Sequence, residues 1–326
     1  MRMGILGAGG IAGTMAETVA RMAEAEAHAV ASRSADKARA FAAAHGVERA
    51  YSSYEALLDD PAVDLVYIAL PHSHHCAWTL AALEAGKHVL CEKAFAVNAA
   101  QARQMIKLSE RRGLLLAEAI WTRYMPSRAL IGEVLASGRL GELRTLSANL
   151  GYRIDAHERL IRPELAGGAL LDLTVYPLNF AAMAFGGDIA RIEASCLMTD
   201  TGVDGQDSVT LAYADGRMAS LFTTIHTLTD RRGLIYGTEG FLEVENINNP
   251  RALRVWSADR GAPQLLETIR VPEQLTGYEY EVRACRRAIE AGDTECAEMP
   301  HAETLRIMEQ MDLIRKRFGV VYPFER

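Results

Sequence analysis

A glycine turn at the head of the chain does most to limit the folds open to it. Met3–Leu6 reads as a short apolar strand, Gly7-Ala8-Gly9-Gly10-Ile11-Ala12 follows, and Ile11–Met22 carries a helical pattern. Gly7 permits a tight turn, Gly9 lets backbone approach a ligand closely, and Ala12 stands where a third small residue allows helix and strand to pack together. At the helix start the N–H groups of Gly10, Ile11 and Ala12 have no partner inside the helix and carry a partial positive charge. A strand, glycine turn and helix in this order predict a bound dinucleotide held by its pyrophosphate.

The rhythm that follows agrees. Strand patterns at His28–Ser32, Asp64–Leu70, His88–Cys91 and Leu114–Glu118 alternate with helical patterns at Ala35–His45, His75–Ala85 and from Asn98 to Arg112. The strands are apolar on both faces, as in a parallel sheet covered by helices on both sides. The expected fold class is α/β, a Rossmann-type doubly wound sheet. After about residue 120 strands follow one another without helices between them, from Ile189–Met198 to Ala252–Ser257. This predicts a second, α+β domain on a large, mostly antiparallel sheet. The expected division is 1–120 for the dinucleotide and 121–326 for substrate and oligomerisation.

Composition removes other classes. The chain has 326 residues, enough for two domains, and a net charge of −7 with no basic block, which argues against nucleic-acid binding. No uninterrupted apolar run reaches the ~18 residues of a membrane span. Glycines break the N-terminal apolar stretch where a secretory signal would continue, so a cytoplasmic protein is expected. The five cysteines are odd in number and widely spaced, which predicts reduced thiols.

The second strand ends at Ser32-Arg33, with Lys37 nearby and no acidic residue before Asp36. An NAD site usually places a carboxylate here for the ribose hydroxyls; a guanidinium and a hydroxyl suit a 2′-phosphate instead. NADP is the expected cofactor, with NAD possible as the second choice.

Two further stretches carry the chemistry. AGKHVLCEK puts Glu92 and Lys93 at the carboxyl end of a parallel strand, where ligands bind in open α/β sheets. GGALLDLTVYPL puts Asp172 and Tyr176 four apart, on one face of a helix. With the glycine turn and Pro71-His72-Ser73-His74-His75, these stretches resemble the Gfo/Idh/MocA family of NAD(P)-dependent oxidoreductases along the whole chain. Glu118–Pro126 and Tyr322-Pro323-Phe324-Glu325 are most similar to its dihydrodiol dehydrogenase and NADP-dependent D-xylose dehydrogenase branch.

The resemblance implies roles. Leu70, Pro71, His72 and His75 lie beside the nicotinamide end of the cofactor, and Trp121 and Arg123 near cofactor or substrate. Tyr176 is the acid/base; Lys93 tunes it, bonds the substrate oxygen, or does both. A phenol with a pKa near 10 is a poor base at neutral pH, and a nearby ammonium stabilises its phenolate. Asp172 orients the tyrosine, the lysine or a substrate hydroxyl. Arg153, Asp155, His157 and Arg162 form a polar segment suited to a substrate cleft. One departure stands out: Ala94 replaces the proline of the family's Glu-Lys-Pro, and a cis bond before alanine costs about 2.5–4 kcal/mol, so a trans Lys93–Ala94 bond is expected. The histidine cluster lacks a completing ligand, and no metal is expected.

The expected activity is hydride transfer between NADP and a secondary alcohol or carbonyl of a sugar, polyol or trans-dihydrodiol. A D-xylose-type sugar 1-dehydrogenase or an anhydrosugar reductase is the enzyme alternative. A non-catalytic NADPH-sensing regulator is the alternative from another class. A second copy of the chain is the expected partner, as a homodimer or homotetramer through the C-terminal sheet.

Overall fold

The structure, a computed structural model, describes residues 1–259 and 262–325. Its contacts define two compact units, Met1–Tyr124 with Gln274–Met308, and Met125–Glu273 with Glu309–Arg326. The sequence reading kept all of 121–326 together; helical periodicity alone does not tell which sheet a helix covers, and Gln274–Met308 returns to the first unit.

The first unit holds six strands: β1 (Arg2–Leu6), β2 (Glu26–Ala31), β3 (Arg49–Tyr51), β4 (Leu65–Ile68), β5 (His88–Glu92) and β6 (Leu116–Ala119). They are all parallel, in the order β3-β2-β1-β4-β5-β6, the Rossmann order. Its helices are α1 (Gly10–Ala20), α2 (Ala35–His45), α3 (Tyr54–Leu58), α4 (His72–Glu84) and α5 (Ala99–Arg112). Local chemistry sets their ends. Ser34, Ser53 and Asn98 cap α2, α3 and α5 with side-chain oxygens, and Gly46 and Gly113 end α2 and α5 in left-handed conformation. The side chains of β4 are fully buried, each worth about 2 kcal/mol of apolar burial. Strand β3 and helix α3 were not foreseen: Arg49-Ala50-Tyr51 is short, largely exposed and has no apolar alternation.

The returning segment covers the β6 edge. Leu116 N–H donates to the Thr294 carbonyl at 3.0 Å, and the His301 ring lies 2.8 Å from the Leu116 carbonyl. Sheet edges left open invite wrong pairing, and this one is occupied.

The second unit carries α6 (Pro126–Ala136), α7 (Glu158–Ile161), α8 (Val175–Phe185) and an eight-stranded sheet. The strands are β7 (Leu143–Gly151), β8 (Ile189–Met198), β9 (Asp204–Tyr213), β10 (Met218–Thr224), β11 (Gly233–Gly237), β12 (Gly240–Val244), β13 (Ala252–Ser257) and β14 (Leu265–Arg270). Their order is β14-β13-β12-β11-β7-β10-β9-β8, antiparallel except for β7 with β10. Strand β14 was missed because nearly every residue in it is exposed, so it lacks alternation.

Helix α8 packs on one face of this sheet against β7 and β10, while Met218, Ser220 and Phe222 point to the other, open face. The helical run Pro163–Phe185 is long and apolar enough to cross a membrane by composition, but 89% of its apolar window is buried inside the protein. The run is a core segment. Tyr322 locks the chain's end to it, donating to the Gly167 carbonyl at 2.9 Å.

Candidate active site

In the first unit the carboxyl ends of the parallel strands gather nearly all the cofactor residues named from sequence. After β1, Gly7 sits at φ +107°, and a Cβ there would lie 2.4 Å from the Ala69 carbonyl oxygen. Only glycine fits. A Cβ at Gly9 or Gly10 would meet nothing within 4 Å, and Gly9 caps α1 without a side chain. The helix start is thus uncrowded at both glycines, the N–H groups of Gly10, Ile11 and Ala12 have no partner inside the helix, and Ala12, fully buried, seats the helix on the sheet. This cradle fits a pyrophosphate.

After β2, Ser32 is buried and its Oγ accepts the Ser34 N–H at 3.3 Å, which shapes the turn. Arg33 is exposed and hydrogen-bonds the Tyr54 phenol, which burial pushes up and the Arg33 charge pulls partly back. Tyr54 packs edge-on against Trp78 at 4.7 Å. Sequence reasoning missed both aromatics, since neither belongs to a motif. Lys37 is exposed, and the first acid, Asp36, is paired with Arg39 at 2.5 Å.

After β4 come Leu70 and Pro71, and α4 starts at His72, which is 6% exposed. His75 is fully buried. Its Nδ1 lies 2.9 Å from the Ala94 carbonyl and its Nε2 2.8 Å from the Leu70 carbonyl, so it ties the loops after β4 and β5 together. Burial pushes its imidazole down to about 4, against the opposite pull of the two carbonyls. Among the described residues no group of three or more His, Cys, Asp or Glu is placed to hold a metal ion, and all five cysteines are free.

Lys93 follows β5, the fifth strand and not the fourth, because β3 was missed. Glu92 is buried; it accepts the Tyr67 hydroxyl through Oε1 and the Lys93 N–H at 3.1 Å through Oε2. The Lys93–Ala94 peptide is cis, against the trans bond expected from its non-prolyl sequence. Local cost gives way here to tertiary packing, with Ala94 through Val97 buried and the Ala94 carbonyl held by His75. After β6, Trp121 stacks on Tyr278 at 4.4 Å, and Arg123, 3% exposed, pairs with Glu303 at 3.0 Å.

The second unit carries the other two residues. Tyr176 stands in the first turn of α8 and is 8% exposed. The residues before it, Leu170–Thr174, form a π turn, not the α-helix read from sequence. Such turns are rare and frequent at functional sites. Asp172 lies in that turn, 3% exposed, and Arg159 holds it as a fork, 2.7 Å to Oδ1 and 3.4 Å to Oδ2. Arg159 was not foreseen; it stands outside the GGALLDLTVYPL stretch. Of the polar segment, Asp155 is 3.2 Å from the His226 ring and Arg162 is 2.5 Å from Glu158, while Arg153 and His157 are exposed.

Comparison with known proteins places the chain. Residues 1–119 match the model described as "Oxidoreductase family, NAD-binding Rossmann fold", and 129–243 the Gfo/Idh/MocA C-terminal domain. The trans-1,2-dihydrobenzene-1,2-diol dehydrogenase of Danio rerio is 36% identical over 99% of this chain and 98% of its own length. That of Sus scrofa is 35% identical over 100% of this chain and 99% of its own. A 3-ketoreductase of Actinomadura kijaniata, solved with NADP and TDP-benzene, superposes with a TM-score of 0.88 at 27% identity, covering 98% of both chains. With the glycine cradle and the Rossmann strand order, these matches show that the chain belongs to the Gfo/Idh/MocA family of NAD(P)-dependent oxidoreductases.

Proposed function

We propose that this protein prefers NADP and moves a hydride between the nicotinamide and a secondary alcohol or carbonyl of a trans-dihydrodiol, polyol or sugar. The observation that carries the substrate class is full-length similarity at 36% identity to a trans-dihydrodiol dehydrogenase. When bound, the nicotinamide supplies or accepts the hydride. Gly7, Gly9, Gly10, Ile11 and Ala12 would hold the pyrophosphate, and Ser32, Arg33 and Lys37 the 2′-phosphate. A paired Asp36 and an exposed Arg33 at the end of β2 support the NADP preference.

Tyr176 takes the substrate hydroxyl proton in oxidation and returns it in reduction. Lys93 supplies the positive charge that brings phenolate within reach at neutral pH. The Glu92 carboxylate fixes the backbone from which Lys93 extends. Asp172, its charge balanced by Arg159, orients a substrate hydroxyl or the phenol. The functional division read from sequence, a dinucleotide domain at 1–120 and a substrate domain within 121–326, belongs to the same proposal, with Gln274–Met308 packed into the first unit. So does pairing with a second copy through the open sheet face, where Leu197, Met218 and Phe222 are 38–60% exposed.

The test is a screen of NADP and NAD reduction with pentoses, hexoses, inositols and trans-1,2-dihydrobenzene-1,2-diol. Lys93→Met and Tyr176→Phe should bind NADPH as the wild type does and lose at least about 100-fold in kcat. Arg33→Ala should raise KM for NADP and leave that for NAD unchanged. Full turnover in Tyr176→Phe removes the proton role, and equal KM values for both cofactors in wild type and Arg33→Ala remove the NADP preference.

A further inference from the structure

The helix bearing Tyr176 begins on a π turn, and two buried acids grip that turn at both ends. Asp204 is fully buried at the start of β9, and its Oδ2 accepts the Leu170 N–H at 2.5 Å. Asp207 is 1% exposed, and its Oδ2 accepts the Thr174 hydroxyl at 2.6 Å. Leu170 is the first residue of the turn and Thr174 the last. Thr174 Oγ1 also lies 2.5 Å from Thr223 Oγ1 on β10, so the sheet reaches the turn from two adjacent strands.

The two carboxyls also act on each other electrostatically. The Oδ1 atom of each is buried without a hydrogen-bond partner. Burial pushes Asp204 up to about 6, and burial with the neighbouring Asp204 charge pushes Asp207 well above the ordinary carboxylate range. Asp204 reaches the turn beside residue 168, where only glycine leaves room: a Cβ there would lie 2.3 Å from Asp204 Oδ1.

We propose that Asp204 and Asp207 are positioning residues for the reaction, clamping the two ends of the π turn and so setting where the Asp172 carboxyl and the Tyr176 phenol stand. The inference rests on the proton role of Tyr176 given above. A π turn makes i→i+5 bonds, so relaxing it to α geometry changes the turn under Asp172 by one residue of register. Asp172 and Tyr176 would no longer keep their spacing. Misplacing a catalytic group by about 1 Å costs up to about 100-fold in rate.

The experiment uses the full chain, with NADP and trans-1,2-dihydrobenzene-1,2-diol as the probe reaction. Thr174→Val removes the hydroxyl that Asp207 holds, at nearly constant volume, and should lower kcat about 10- to 100-fold with NADPH affinity unchanged. Thr174→Ser restores the hydroxyl and should restore kcat to within about threefold. Should Thr174→Val not fold, Asp207→Ala is read by the same ratio of kcat to NADPH affinity. Wild-type kcat in a folded Thr174→Val, alongside an inactive Tyr176→Phe, overturns the clamp alone. A fully active Tyr176→Phe overturns the proton role and the clamp's purpose with it.

Discussion

Glu118, the third residue of β6, should make this protein's stability fall between about pH 4.5 and pH 7. The side chain is 2% exposed; Thr304 donates to its Oε2 at 2.9 Å, and its Oε1 has no donor. Burial pushes the carboxyl from the ordinary 4.5 up to about 7, with the Thr304 hydrogen bond and the Arg123 charge opposing. The folded state thus binds this proton more tightly than the unfolded chain does. Stability from this site is full below the unfolded value and is lost as pH rises toward 7, beyond which it is level. The gap between about 7 and 4.5, at 1.36 kcal/mol per tenfold change, is about 3 kcal/mol over the whole window, and about 2 between pH 5 and pH 7.5. Glu118→Gln keeps the shape, carries no charge and has no such loss. Urea unfolding of both proteins at the two pH values isolates the site, because every other titrating group cancels in the difference. The variant should gain about 2 kcal/mol on the wild type as pH rises from 5 to 7.5. A gap that stays constant within about 0.5 kcal/mol means that Glu118 is ionised in the folded protein at acid pH, and the burial reasoning fails.

Three other changes probe separate links. Gly7→Ala forces a side chain against the Ala69 carbonyl at positive φ, which should cost about 1–3 kcal/mol and weaken NADPH binding by tenfold or more in a calorimetric titration; unchanged affinity would detach the turn from the cofactor. Tyr67→Phe leaves a buried Glu92 oxygen without its donor and should lower unfolding free energy by about 1–3 kcal/mol. Asn98→Ala removes the Oδ1 that accepts the Gln101 N–H at 3.0 Å and caps α5, so a loss of about 1 kcal/mol is expected in the same urea assay, and none if the cap is idle.

The parts of this protein legible from sequence are those in which one residue type answers one backbone demand. Gly7 pointed to the phosphate cradle because a turn at positive φ against the Ala69 carbonyl tolerates nothing larger, and Gly9 because it starts the helix with no side chain in the way. The both-sides-buried strands β4 and β5 declared a parallel sheet for a similar reason. Lys93 and Tyr176, proposed as the catalytic pair, were singled out through motifs, not through their surroundings. Their supports stayed hidden because they act through tertiary contact. Tyr67 reads as one more strand residue until Glu92 is seen bonded to it. Asp204 and Asp207 look like surface acids in a turn-rich stretch until the sheet carries them under the π turn. That turn itself has no local signature, since its residues favour an ordinary helix.

The order of the chain also bears on how the molecule is made. Strand β6 is synthesised early, but Thr294 and His301, which occupy its edge, come from far downstream. The second unit likewise draws in Glu309–Arg326, with Tyr322 fastened to Gly167. On the ribosome, then, neither half closes as soon as its own strands emerge. A nascent chain halted before Gln274 would carry a raw strand edge and an unsealed core, prey to chaperones and proteases, until Gln274–Met308 and Tyr322 have emerged to complete the two halves.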